Sequence, residues 1–157
     1  MLGGKHKGLS GEHWARADAV QKGYITAKPD ESDLIGYDLI LDDGKKLYRV
    51  EVKSQDSCRR SKITGKQFND RVRFNLYRRN NSGNSIYGYV DYFALFCPKF
   101  NKIAWITREE MFGSGKKTIK YSEFDLYKLP QNNNFNIPEK SNENTSQLTL
   151  FNKGEKG

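Results

Sequence analysis

Two apolar-rich runs flank an Asp-Gly pair in the first half of the chain: Leu39-Ile40-Leu41 before it and Leu47-Tyr48-Arg49-Val50 after it. Asp-Gly between strand-like runs is a strong hairpin signal, because these residues tolerate the positive φ that tight turns demand. With Asp43-Gly44 as the turn, Asp42 faces Lys45, Ile40 faces Leu47 and Asp38 faces Arg49; a four-residue loop closed by Leu41 and Lys46 gives the same register. Side chains alternate along a strand, so Tyr37, Leu39, Leu41, Tyr48, Val50 and Val52 make an apolar face. Arg49, Glu51 and Lys53 share the other face, and Asp38 joins them across the pair. A three-residue loop would shift the register by one and break this grouping.

The remaining pattern predicts a mixed sheet with one or two flanking helices. Residues 12–20 carry alanines and few breakers, with Ser10 as the expected N-cap and Lys22-Gly23 as the stop. Strands are expected at 24–27, 72–77, 90–97 and 103–106, the third ended by Pro98. Thr107 is placed to cap a short helix running to Phe112, with Glu110 at the capping-box position. Residues 117–121 and 124–129 read as edge elements. No repeat is present.

The polar face of the hairpin is where chemistry enters. Asp38 and Glu51 become diagonal neighbours, with Cβ atoms roughly 7–8 Å apart, close enough for both carboxylates to reach one cation. Hard oxygen donors without a His or Cys cluster suit Mg²⁺ or Mn²⁺. Such an ion, held by one or two carboxylates with the other positions on water and phosphate, is the usual arrangement for phosphoryl chemistry. Lys53 would add positive charge beside the reacting phosphate. Glu12 falls in the first turn of the expected helix, where the helix dipole alone already favours a carboxylate.

Charge changes the picture further. The 157 residues hold 27 Lys+Arg against 19 Asp+Glu, a formal net charge of +8. The excess is clustered: Arg59, Arg60, Lys62 and Lys66 follow the hairpin, and Arg71 and Arg73 come soon after. A basic stretch beside an acidic metal pocket suits a polyanionic substrate, nucleic acid above all. No segment approaches the ~20 apolar residues of a membrane span, and the N-terminal residues lack a signal-peptide pattern. Cys58 and Cys97 form neither a metal signature nor a disulfide framework. The expectation is an intracellular, cytoplasmic protein acting on DNA.

Five pieces in this order and spacing resemble the PD-(D/E)XK nuclease superfamily, within it the compact bacterial group that includes intron-associated endonucleases. They are Lys7-Gly8-Leu9-Ser10-Gly11-Glu12, Lys22-Gly23-Tyr24, Tyr37-Asp38-Leu39-Ile40, Tyr48-Arg49-Val50-Glu51-Val52-Lys53, and the run from Val90-Asp91-Tyr92-Phe93 through Ala94-Leu95-Phe96-Cys97-Pro98. Tyr37 stands where the family motif often has proline. The resemblance implies an α/β, restriction-endonuclease-like mixed β-sheet flanked by α-helices. It also implies metal held by Asp38 and Glu51, a catalytic Lys53 and Glu12 completing the site, while the clustered basic charge is what would bring Arg59, Arg60, Lys62, Lys66, Arg71 and Arg73 to DNA. Gln55 has a weaker claim as an accessory residue.

The nuclease domain is expected over residues 1–130, followed by a disordered tail over 131–157. Within that polar tail, Gln147-Leu148-Thr149-Leu150-Phe151 resembles the short motif with which bacterial proteins dock on the DNA-polymerase sliding clamp. Gln147 would supply hydrogen bonds, and Leu148, Leu150 and Phe151 would enter an apolar groove. The expected function is therefore a Mg²⁺- or Mn²⁺-dependent DNA endonuclease. The clamp-like motif favours a structure-specific enzyme for junctions or branched DNA in repair, recombination or replication. The alternatives are a homing or restriction endonuclease and a non-cleaving factor that binds DNA or the clamp. Cutting both strands needs two sites, so a homo-oligomer, a dimer or higher, is expected.

Overall fold

A computed structural model describes residues 4–30, 36–56, 58–60, 64–65, 67–76, 89–111 and 115–135. One α-helix, α1 (Gly4–Gln21), precedes the strands β1 (Ile25–Ala27), β2 (Leu39–Asp42), β3 (Leu47–Ser54), β4 (Cys58–Arg60) and β5 (Gln67–Asn75). They are followed by β6 (Tyr92–Cys97), β7 (Lys102–Thr107) and β8 (Lys116–Lys120). Short 3-10 helices occupy Glu109–Met111 and Tyr121–Leu126. No described helix is long and apolar enough to cross a membrane.

The strands form two sheets. The larger runs β1-β2-β3-β6-β7, with β3 and β6 parallel and every other neighbour antiparallel. The smaller is β4-β5-β8, all antiparallel. β6 is an unbroken apolar run because it is buried on both faces, as a central strand next to a parallel neighbour must be. Its alternation divides the core. Phe93, Leu95 and Cys97 join Val72, Phe74 and Leu76 of the β5 segment and Ile119 of β8 between the two sheets. Ala94 joins Leu39, Leu41, Val50 and Val52 beneath Ala15 and Ala19 of α1. The layers are therefore α1, the five-stranded sheet, then the three-stranded sheet.

The helix lies close because the residues facing the sheet are small. Gly11, Ala15 and Ala19 recur at four-residue spacing and all are buried. A Cβ at Gly11 would fall on Ser54 Oγ and lie 3.3 Å from Val52 Cγ1. That packing carries α1 back to Gly4, so Ser10 is an interior residue and not the N-cap, and Glu12 is mid-helix. Tertiary contact has overridden two interior glycines, each worth roughly 1 kcal/mol against a helix. Trp14 stacks on Phe96 with ring centroids 5.4 Å apart, and Trp105 Nε1 donates to Asp18 Oδ2 at 2.8 Å.

The hairpin closes differently from the expected register. Leu39 pairs with Val50, Ile40 with Arg49, Leu41 with Tyr48 and Asp42 with Leu47. The loop is thus Asp43-Gly44-Lys45-Lys46, which shifts the pairing by two residues. The cause is the Asp43 side chain: Oδ1 accepts from the N–H of Lys45 and of Lys46, at 2.8 and 2.7 Å, and Oδ2 accepts from the Tyr48 hydroxyl at 2.8 Å. Gly44 takes φ +86°, and the Phe135 ring sits 3.0 Å from where its Cβ would be. A shift of two preserves parity, so the faces of β2 and β3 are those expected.

Other boundaries move modestly. The strand expected at 90–97 is β6, which begins at Tyr92, and that expected at 103–106 is β7, one residue longer at each end. The Thr107–Glu110 capping box forms reciprocally, at 2.7 Å from Thr107 N to Glu110 Oε2 and 3.2 Å from Glu110 N to Thr107 Oγ1. The strand expected at 72–77 begins earlier, at Gln67. The edge element expected at 124–129 is instead the 3-10 turn that starts at Tyr121. Packed chain also continues past Pro130. Asn132 is buried, its N–H donates to Lys22 O at 2.8 Å, and its Nδ2 donates to Gly23 O at 2.9 Å. Gly23 at φ +85° leaves room for that strap, because a Cβ there would lie 2.5 Å from Asn132 O. The rest of the tail, with Gln147, Leu148, Leu150 and Phe151, lies outside the described residues.

The turn makes a pH prediction. The Lys45 N–H, then the Tyr48 hydroxyl and the Lys46 N–H, hold the Asp43 carboxyl below its ordinary value of 3.8. A depressed carboxylate stabilises the fold above its unfolded pKa, and the gain is lost as pH falls through the folded one. Asp43→Asn keeps the Oδ1 acceptor for the two N–H groups but loses the charge that strengthens these bonds and the Oδ2 acceptor of the Tyr48 hydroxyl. The variant should melt below wild type at neutral pH, with the gap closing as thermal unfolding is followed below pH 4.

Candidate active site

β3 carries the site. It lies between antiparallel β2 and parallel β6, and Val50 and Val52 turn one of its faces to α1. The alternate residues Glu51 and Lys53 must then face the second sheet, beside Phe93 and Leu95 of β6. Glu51 is 1% exposed, a carboxylate placed among apolar side chains. Lys53 Nζ is hydrogen-bonded to Glu51 Oε1 as an ion pair, with Lys53 30% exposed at the margin. A buried carboxylate is tolerated only with a partner of this kind. Glu51 Oε2 is buried too, and accepts no hydrogen bond from the described residues.

Asp38 is fixed to the same strand from across the hairpin. Its N–H donates to Val50 O at 2.8 Å, and its Oδ2 accepts from the Val52 N–H at 2.8 Å. The two bonds bracket Glu51, so the backbone of β3 itself orients the second carboxylate. The chain bends at Asp38, and Tyr37 packs against the core between the sheets, not with Leu39 and Leu41 as alternation predicted. At the other end of the site, Asp91 clamps the entry of β3: Asp91 Oδ2 accepts from the Arg49 N–H, and Asp91 N–H donates to Arg49 O, both at 2.8 Å. That anchoring role was not foreseen, because it depends on the parallel β3–β6 pairing.

The other expected residues are less closely gathered. Glu12 lies on α1, which covers the opposite face of β3, and its Oε2 is held by Lys28 Nζ at 2.6 Å. Among the described residues no group of three or more His, Cys, Asp or Glu comes together. Asp38 and Glu51 are thus two carboxylates with hard oxygen donors, the set with which Mg²⁺ is usually bound when water and phosphate complete its shell. Gln55 donates its backbone N–H to Phe96 O at 3.0 Å.

Of the basic residues, Arg59 and Arg60 lie on β4, and Lys62 and Lys66 fall outside the described residues. Arg71 and Arg73 lie on β5, on the side away from the core residues Val72 and Phe74. Asp70 grips Arg71 with two 3.0 Å bonds, and Arg71 also lies over the Phe68 ring at 4.6 Å. The Arg71 guanidinium in turn holds the Asp70 carboxyl below its usual range. The basic residues Lys116 and Lys120 of β8, paired across from Asn75 and Arg71, escaped the sequence reading. Their alternation in Lys116-Lys117-Thr118-Ile119-Lys120 was the available signal.

Removing Lys53 should expose the cost of the buried carboxylate. Lys53→Met is expected to lose about 1–3 kcal/mol of unfolding free energy at pH 7 in urea titrations. Glu51→Gln in the same chain should restore most of it, because a neutral amide needs no counter-charge.

Among solved structures, the chain resembles the bacterial homing endonuclease I-Ssp6803I, with a TM-score of 0.55 and 21% identity over 76% of this chain and 77% of that one. It also aligns with Hjc of Archaeoglobus fulgidus, a Holliday junction resolvase from an archaeal hyperthermophile, at a TM-score of 0.46 and 14% identity over 77% and 89% of the two chains. No curated protein matches the chain. The family model for PD-(D/E)XK endonuclease matches residues 3–137, which include Asp38, Glu51 and Lys53, and the chain belongs to that family.

Proposed function

We propose that this chain is a divalent-metal-dependent DNA endonuclease that hydrolyses phosphodiester bonds with Asp38, Glu51 and Lys53. One observation carries the reading: a carboxylate at 1% exposure in a central strand, ion-paired to the lysine two residues on, with a second carboxylate pinned beside it by the same strand. A stable fold has no need of that arrangement, since an apolar residue at position 51 would cost less. Enzymes do need it, to keep charge preorganised where a dry site strengthens it.

Asp38 and Glu51 would hold Mg²⁺ or Mn²⁺, which supplies Lewis-acid polarisation of the phosphate and lowers the pKa of water at the site. Lys53 would bring positive charge to the reacting phosphate, with Glu51 fixing its ammonium in place. The Val52 N–H would keep the Asp38 carboxylate aimed, so no rearrangement is needed on binding. Glu12, on the helix side, is proposed as an accessory acid that would have to leave Lys28 to take part.

Two substrate classes remain. The clamp-like pentapeptide supports branched DNA, with recruitment through Gln147, Leu148, Leu150 and Phe151. The outward face of the second sheet supports a defined duplex site, and a homo-oligomer would then bring one catalytic centre to each strand.

Asp38→Asn tests the catalytic assignment without disturbing the fold, since the amide oxygen can still accept from Val52. Incubated with Mg²⁺ or Mn²⁺ and a panel of linear, supercoiled, flap and four-way-junction DNA, wild type should cut at least one substrate and EDTA should stop it. Asp38→Asn should cut that substrate at least about 100-fold more slowly, with binding retained. Undiminished cutting by the variant would remove Asp38 from the mechanism. Truncation after Ser146 should leave cleavage of naked DNA at the wild-type rate, because the motif acts only on a protein partner.

A further inference from the structure

β5 is the middle strand of the second sheet, and its residues alternate cleanly in character. Val72, Phe74 and Leu76 are buried toward the core, while Asn69, Arg71, Arg73 and Asn75 lie on the other side with their side chains half-buried or exposed. The register with β8 extends this outward side: Arg71 is opposite Lys120, Arg73 opposite Thr118, and Asn75 opposite Lys116. All three β8 residues are exposed. The surface therefore carries four cations; Asp70 lies beside Arg71, and Glu123 is 3.7 Å from Lys120.

The layer order decides which way this surface looks. Glu51 and Lys53 face away from α1, and the outward side of the second sheet faces away from α1 as well. The second sheet stands between the two: its apolar side covers the Glu51–Lys53 face of β3, and its polar side is the outer surface beyond it. β4 begins only four residues after the end of β3, so this outer surface is tied to that strand by one short connection.

We propose that the outward side of β5 and β8 is a sequence-reading surface for double-stranded DNA, with Arg73, Asn69 and Asn75 contacting base edges and Lys116 and Lys120 gripping phosphates. The inference rests on the nuclease reading for its ligand and adds the form of DNA and the residues that select it. Side chains on one side of a strand recur about every 6.7 Å, close to two base-pair rises. The major groove, about 12 Å wide, admits a two-stranded ribbon. The residue types are those of direct readout: arginine is bidentate to guanine, asparagine is bidentate to adenine, and threonine makes apolar contact with the thymine methyl. Arg71 is already engaged by Asp70, so the guanine contact falls to Arg73, which no described carboxylate holds. Pure electrostatic grip would need only lysines; the Asn-Arg-Arg-Asn row is the part that grip does not explain.

The test uses the full chain carrying Asp38→Asn, so that bound DNA stays intact. Selection from a randomised duplex library should return a consensus. Arg73→Lys keeps the charge but loses the planar fork; with Asn75→Ala, it should cut discrimination at one or two positions by about tenfold or more while leaving the salt slope unchanged. The double variant Lys116→Ala/Lys120→Ala should keep the consensus and reduce the slope of log affinity against log salt by about 2. None of these side chains belongs to the buried core, and circular dichroism would verify that each variant is folded. Absence of a consensus, a consensus untouched by Arg73→Lys and Asn75→Ala, or an unchanged salt slope in the lysine variant would each overturn the proposal. Asp38-dependent cleavage with no consensus would defeat this inference alone. A consensus blurred by these variants, with no cleavage by wild type, would defeat the nuclease reading and leave the DNA-reading surface standing.

Discussion

Keeping a carboxylate charged inside a sheet is the constraint on which the rest of the site depends. Glu51 is nearly sealed from water, between two valines that pack under α1 and beside a phenylalanine that packs under the second sheet. The charge is tolerable there because Lys53 shares its face two residues on and lies close enough to the margin to keep contact with solvent. Everything that fixes β3 therefore fixes the proposed site: Asp38 holds it from β2, Asp91 clamps its entry, and the parallel ladder to β6 sets its depth. Each of these is a backbone contact on a strand, which holds geometry more tightly than a loop can.

The three-layer arrangement then separates tasks. Small residues on α1 let the helix close one face of β3, which leaves the opposite face for Glu51 and Lys53. The second sheet packs its own apolar side against that face and turns its polar side outward. In a chain of formal charge +8, the pairing of β5 with β8 collects several cations, with amides between, on the outer side of the second sheet. Family membership and a shared fold with a homing endonuclease fit this layout. The likeness to that endonuclease, at 21% identity, speaks for the fold alone.

The hairpin, β6 and β7 were legible in the sequence because their signals are local: contiguous apolar runs and clear punctuation. Parity of the Glu51–Lys53 face was legible too, although the register was not, since the two-residue shift follows from Asp43 bonding Lys45, Lys46 and Tyr48. The start of α1 was hidden because its interior glycines argue against a helix, and only contact with Ser54 and Val52 shows why Gly11 belongs there. The same distance problem concealed Asn132, whose partners lie on the Lys22–Gly23 turn, and the pairing of Glu12 with Lys28. The second sheet was half visible. The alternation of Val72 and Phe74 with arginines was present, but its β8 partner was separated by a long stretch of chain.

The central claim is that two carboxylates fixed to β3 form a divalent-cation site, and direct metal binding tests it most closely. Mn²⁺ binding to the full chain, followed by electron paramagnetic resonance with wild type, Asp38→Asn and Glu12→Gln side by side, separates the contributions. The account predicts saturable binding by wild type that is lost or weakened at least about tenfold in Asp38→Asn. The Glu12→Gln result would show whether the helix-borne acid joins them. Mn²⁺ bound equally well by wild type and Asp38→Asn would contradict the account and place the metal, and with it the chemistry, elsewhere.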